Sequence, residues 1–167
     1  MQDHKPEFLR LLEEHKLIIY KICNAYCKNM SDRDDLAQEI SYQLWRSYSH
    51  FNGSVKFSTW MYRVALNVAI TFYRKTVKTR NMIQLAEPAD DPEDKKEDTT
   101  ELEKNIGVLQ QFISELKELD KALMILYLEE KKYAETSEIL GITETNVATR
   151  ISRIKDKLKQ QFSTINK

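Results

Sequence analysis

Residues 57–75, FSTWMYRVALNVAITFYRK, run nineteen positions without a proline, a glycine or a carboxylate. Trp60, Val64, Val68 and Phe72 recur at every fourth residue, with Ala65 or Leu66 between them. That is the apolar stripe of an amphipathic helix, not the alternation of a strand. The spacing predicts a helix over 59–75.

Upstream the same period continues. Phe8, Leu11, Leu12, His15, Ile18, Ile19, Ile22, Cys23 and Tyr26 share one helical face. After a break at 28–30, Ser31 is placed to cap a second helix whose first turn carries Asp32 and Asp34. Carboxylates there meet the positive end of the helix dipole. Leu36, Ile40, Leu44 and Tyr48 are the inward positions of this helix, and a polar turn at 49–56 leads into 59–75.

Downstream, residues 87–104 (EPADDPEDKKEDTTELEK) hold nine acids and two prolines with almost no apolar side chain. Nothing in that stretch offsets the entropy of ordering it, so it reads as a flexible linker. Val108, Leu109, Phe112, Ile113 and Leu116 begin a second helical unit, which 119–128 continues. Gly53, Gly107, Gly141, Pro6, Pro88 and Pro92 are all expected at termini, loops or linkers. The fold class is therefore all-α: two small helical bundles, 1–78 and 107–167, joined by an acidic linker at 79–106.

The chain has 167 residues, 31% of them charged, and a formal net charge of zero that hides strong segregation. Residues 1–39 sum to −2, 40–86 to +7, 87–104 to −6, 105–143 to −3 and 144–167 to +4. From Ile40 to Ala86 there is no Asp or Glu at all, while seven Lys and Arg and nine of the sixteen aromatics fall there. Cations bind phosphates and aromatic faces stack on unpaired bases, so this block suits a nucleic acid. A basic core-forming stretch is the plainer alternative.

No secretory signal and no apolar run of spanning length is visible, which implies a cytoplasmic protein without membrane insertion. Cys23 and Cys27 share a helix face but lack two further ligands nearby, and read as small buried apolar residues. Asp32, Asp35 and Glu39 also share a face, with no histidine beside them and no glycine-rich phosphate loop in the chain. They form either a solvated helix start or a docking face for a basic partner. No metal, no cofactor and no enzymatic activity are expected.

Near the C-terminus, 133–140 is a short helix, 141–143 a tight turn, and Glu144 opens a second helix. Gly141 suits the left-handed residue that ends a helix, and Thr143 suits the next cap. Val147, Ile151 and Ile154 face inward. Thr145, Asn146, Thr149, Arg150, Arg153 and Lys155 face outward. Amide and guanidinium groups on an exposed helix fit base edges in a DNA major groove, although any helical hairpin with a basic second helix shares part of this pattern.

Together these segments resemble a bacterial extracytoplasmic-function (ECF) sigma factor, of the sigma-70 class. DRDDLAQEISYQLWRSYSHF (32–51) resembles the family's region 2.2 and the start of 2.3, and FSTWMYRVALNVAITFYRK resembles the rest of region 2.3 with 2.4. YAETSEILGITETNVATRISRIKDKL (133–158) resembles region 4.2.

The resemblance implies a transcription initiation factor that brings core RNA polymerase to promoters and helps melt them. Asp35, Leu36, Gln38, Glu39, Leu44 and Trp45 would belong to the helix that docks on the β′ clamp helices, with further contact to the β subunit. The loop holding Ser49, His50, Asn52, Gly53, Ser54 and Lys56 would capture a flipped base of the −10 element. Trp60, Arg63, Asn67, Arg74 and Lys75 would border the melting strand. Trp60 also lies on the apolar stripe and is equally a core residue. Thr143, Thr145, Asn146, Thr149, Arg150 and Arg153 would meet the −35 element. An anti-sigma factor is the family's usual regulator.

Thr71 stands where the family often has Asp, Ser137 replaces a small alanine, and Ala148 occupies a position where a basic residue is common. A stand-alone helix-turn-helix regulator of duplex DNA is the alternative reading. It leaves 31–75 without a role.

Overall fold

A computed structural model describes residues 4–84 and 100–165, and among these it contains helices and no strand. The helices are α1 (Lys5–Glu14), α2 (Lys16–Tyr26), α3 (Met30–Ser47), α4 (Phe57–Gln84), α5 (Glu101–Glu115), α6 (Glu118–Leu128), α7 (Tyr133–Leu140) and α8 (Glu144–Ile165). A single 3-10 turn, Tyr48–His50, follows α3.

Three local features differ from the sequence reading. The first amphipathic stretch is two helices, because the backbone turns at His15, whose N–H donates to Leu11 O at 3.1 Å. His15 packs its ring on Phe57, and the turn lets Ile18, Ile19, Ile22, Cys23 and Tyr26 all bury. The cap of α3 is Asn29 rather than Ser31. Asn29 Oδ1 accepts from the Asp32 N–H at 2.8 Å, and Nδ2 donates to the Asp32 carboxylate at 2.9 Å. An Asn cap satisfies an otherwise orphaned N–H as well as Ser does, so the helix starts earlier.

Gly107 is the third difference, since it lies inside α5 and not in a linker. A capping box of Thr100 and Glu103 starts α5 early enough to include it, each side chain bonding the other's backbone N–H. Helix thus occupies both edges of the expected linker, through Gln84 and from Glu101. Residues 85–99 of it lie outside the described residues.

The N-terminal core forms where α2, α3 and α4 pack together. Ile22, Leu36, Ile40, Leu44, Met61, Ala65, Leu66 and Ala69 are completely buried. Full burial of each larger aliphatic side chain contributes roughly 1.5–3 kcal/mol. The deepest line of α4 is therefore Met61, Tyr62, Ala65, Leu66 and Ala69. Trp60, Val64, Val68 and Phe72 form its half-buried flank, a rotation of the expected stripe. The cause lies in the third dimension: α6 and α7 cover a second side of α4, so the apolar arc is wider than one stripe.

The C-terminal core gathers Phe112, Ile113, Leu116, Leu123, Met124, Val147, Ile151 and Ile154. The two cores meet. Ala122, Ile125 and Leu126 of α6 and Ile139 of α7 belong to the N-terminal cluster, so the bundles close on each other along α2 and α4.

Candidate nucleic-acid interface

On α3, Asp35, Gln38, Glu39 and Trp45 are exposed along one side, and Tyr42, 56% exposed, lies between them. Gln43 Nε2 donates to Glu39 at 2.9 Å. Leu36 and Leu44 have no exposure, so they hold this face in place from beneath and do not form it. Tyr42 was missed as a surface residue. Its spacing of seven from Asp35 was the available signal.

The loop after α3 is pinned by aromatic rings. Phe51 lies 5.1 Å from Trp60 and 5.7 Å from Phe57, ring centre to ring centre, and Tyr48 touches all three. Phe51 N–H donates to Tyr48 O, and Ser54 N–H to Asn52 Oδ1 at 3.0 Å. Gly53 takes a φ of +75°, a conformation that side chains with a Cβ adopt reluctantly. The result is a rigid base that displays Ser49, His50, Asn52, Gly53, Ser54 and Lys56 to solvent. Trp60 joins the aromatic base and stays partly exposed. Asn67 and Lys75 are exposed on α4, and the Thr71 hydroxyl donates back to Asn67 O at 3.0 Å.

Other polar groups of α4 face the C-terminal unit. Thr59 Oγ1 donates to Glu135 Oε1 at 2.8 Å, and Arg63 Nη2 donates to Glu138 O at 3.2 Å. Arg74 Nε pairs with Glu118 Oε1 at 2.7 Å, and that hydrogen bond holds the Glu118 carboxyl below its usual range. Tyr26 donates from its hydroxyl to Glu118 O at 2.6 Å, and Lys21 pairs with Glu129. A small cleft between loop and α7 is lined by Val55, Thr59, Trp60, Arg63, Glu138 and Ile139. The sequence reading missed this junction. The run KALMILYL at 121–128 was its trace, because a helix apolar on every side must be covered on every side.

The helix-turn-helix is built as its residues imply. Gly141 has φ +67° and donates its N–H to Ser137 O at 2.9 Å, and Thr143 Oγ1 accepts from Asn146 N–H at 3.1 Å. The Ser137 hydroxyl donates to Ile142 O at 2.5 Å, so the serine that replaces a small residue stitches the turn. Thr143, Thr145, Asn146, Thr149 and Arg153 are exposed. Arg150 is held by Asn146 Oδ1 at 3.1 Å and by Asp120 at 3.1 Å. Among the described residues no group of three or more His, Cys, Asp or Glu side chains is placed to hold a metal ion. No helix there is long and apolar enough to cross a membrane.

The sigma-70 region 2 family matches residues 11–79 and the sigma-70 region 4 family matches residues 106–158. The ECF RNA polymerase sigma factor SigW of Bacillus subtilis (strain 168) is 28% identical over 93% of this chain and 88% of its own length. RNA polymerase sigma factor SigV of the same organism is 28% identical over 91% and 89%. Among solved structures, CnrH in complex with the cytosolic domain of CnrY aligns over 97% of this chain and 91% of its own, with a TM-score of 0.69 at 16% identity. The sigma factor RpoE bound to the anti-sigma factor NepR, from Bartonella quintana, aligns over 98% of both chains with a TM-score of 0.64 at 17% identity. With both conserved regions matched in order on a two-bundle helical fold, the chain belongs to the extracytoplasmic-function sigma factors of the sigma-70 class.

Proposed function

We propose that this sigma factor binds core RNA polymerase through the exposed α3 face of Asp35, Gln38, Glu39, Tyr42 and Trp45, and that its basic, aromatic 49–75 segment meets the −10 element. The observation that carries this reading is the border at Ile40. Upstream of it α3 presents carboxylates to solvent, and downstream the chain has no carboxylate through Ala86. Cations and aromatic faces suit separated DNA strands, whereas carboxylates repel them and suit a basic protein surface.

The polar loop over its aromatic base offers a seat for a base flipped from the duplex, and that contact offsets the few kcal/mol of unpairing. Thr145, Asn146, Thr149 and Arg153 of α8 read the −35 duplex, with Arg150 joining them when it leaves Asp120. No catalytic group takes part in melting. The protein acts in the cytoplasm beside its polymerase, with 1–78 and 107–167 as the working units and 79–106 between them. An anti-sigma factor is a further expected partner, since both structural relatives were captured with such a protein or a cytosolic protein domain.

Arg63 and Arg74 contact the C-terminal unit in the closed arrangement, so that unit lifts away before they reach DNA. Reconstitution with core polymerase followed by mapping of melted promoters tests the reading. Promoter-specific opening supports it. Tight, specific duplex binding by the chain alone, with no effect of core, would instead identify a stand-alone regulator.

A further inference from the structure

Lys121 is only 2% exposed, on the side of α6 that faces α2 and α4. Its Nζ donates to Ala25 O at 3.1 Å and lies 4.2 Å from the ring centre of Tyr73 and 5.5 Å from that of Tyr26. Ala25 sits in the last turn of α2, so its carbonyl is one that no later N–H of the helix reaches. The ammonium therefore meets a helix C-terminus and two aromatic faces, all of them partial charges. Among the described residues no carboxylate pairs with it. The nearby Glu118 is engaged by Arg74, and Lys28 adds a like charge.

An ion taken from water without a full counter-charge raises the free energy of the state that buries it. Burial accordingly pushes the Lys121 ammonium down to about 8, and Lys28 adds to that effect. The other deep α6 positions at the junction, Ala122, Ile125 and Leu126, are apolar and favour closure.

We infer that Lys121 is a destabilising charge built into the closed junction, which keeps the C-terminal unit weakly docked so that it can lift off α2 and α4. The inference rests on the proposed function in one respect, that the covered faces, those of α4 that carry Arg63 and Arg74, meet −10 DNA. A closed state fastened by apolar contacts alone would withhold those faces too firmly, because a ligand bound only by the open form loses affinity in proportion to the open fraction.

Lys121→Met in the full chain tests this. Methionine keeps the unbranched stem and places sulfur, which is favourable near rings, where the ammonium was. Small-angle scattering through a salt titration reads the opening of the junction, and binding of a single-stranded −10 oligonucleotide by the chain joined to core polymerase reads its consequence. Relative to wild type, the variant is expected to expand only at higher salt and to bind that oligonucleotide about tenfold more weakly, the factor that about 1.4 kcal/mol of added closure gives. Should Lys121→Met lose its helical circular dichroism, Lys121→Leu makes the same measurement. Expansion at the same or lower salt, or oligonucleotide binding as tight as wild type, overturns the inference. If wild type itself fails to bind core, the functional reading falls and the scattering comparison still decides the role of the lysine.

Discussion

Asp35 and Leu36 are neighbours in α3 that face opposite ways, and substitution separates their roles. Leu36 has no exposure and sits among α2 and α4 side chains. Leu36→Ala is expected to cost about 2–5 kcal/mol through lost contacts and a cavity, read as a lower midpoint in thermal or urea unfolding. Asp35→Ala with Glu39→Ala removes only exposed carboxylates. Unfolding should then stay within about 0.5 kcal/mol of wild type while core association weakens. Unchanged association would sink the docking assignment of α3. The sequence distinguished these two residues by periodicity alone, and periodicity sufficed because α3 has one solvent side. It could not resolve Trp60, which is both part of a ring cluster and partly exposed.

At the level of single elements, the parts legible in the sequence are those fixed by neighbours in the chain. The turn at 141–143 follows from a glycine in the left-handed region, a half-buried Ile142 and a capping Thr143, all within three residues. Gly141→Ala meets no atom within 4 Å of its added Cβ, so its cost is purely conformational, about 1–2 kcal/mol. Thr143→Ala removes the acceptor for the Asn146 N–H and is expected to cost about 1 kcal/mol. Both changes loosen the start of α8, and both should weaken −35 duplex binding in a gel-shift titration more than they lower helicity. Less legible were the Asn29 cap, the turn at His15 and the inclusion of Gly107 in α5. Each depends on a choice between nearly equal local options that packing or a capping box decides.

For the molecule as a whole, the closed junction depends on residues 44 to 108 positions apart, and no local pattern joins Arg74 to Glu118 or Lys121 to Ala25. Its polar contacts include exposed ion pairs, which salt screens, so rising ionic strength should expand the protein. The lysine gives closure a pH dependence of definite sign. Lys121 titrates at about 8 when buried and at its ordinary 10.5 when solvated, so the closed form holds fewer protons between those values. Raising the pH from 8 toward 10.5 therefore favours closure. Below 8 the charge is present in both forms, so the pH dependence vanishes and the penalty on closure is full. The groups facing it are Lys28, Cys27, Glu118, Tyr26 and Tyr73. Burial pushes both tyrosines upward, so they keep their protons through the lower part of this window. Scattering at pH 7.5 and 9.5, with Lys121→Met as the reference that lacks the titration, checks the sign. Equal shifts in both proteins would refute it.

The aromatic base beneath the loop has one more consequence. The chain has only two tryptophans, Trp45 and Trp60, and they sit at opposite ends of one ring cluster, Trp45 against Phe8 and Trp60 against Phe51. Selective tryptophan excitation therefore illuminates the N-terminal unit alone and leaves the helix-turn-helix dark. A spectral change on adding core would report on α3 through Trp45, and quenching by a single-stranded oligonucleotide would report on the loop through Trp60. The native chain thus carries its own pair of optical reporters, one beside each of the two surfaces it is proposed to use.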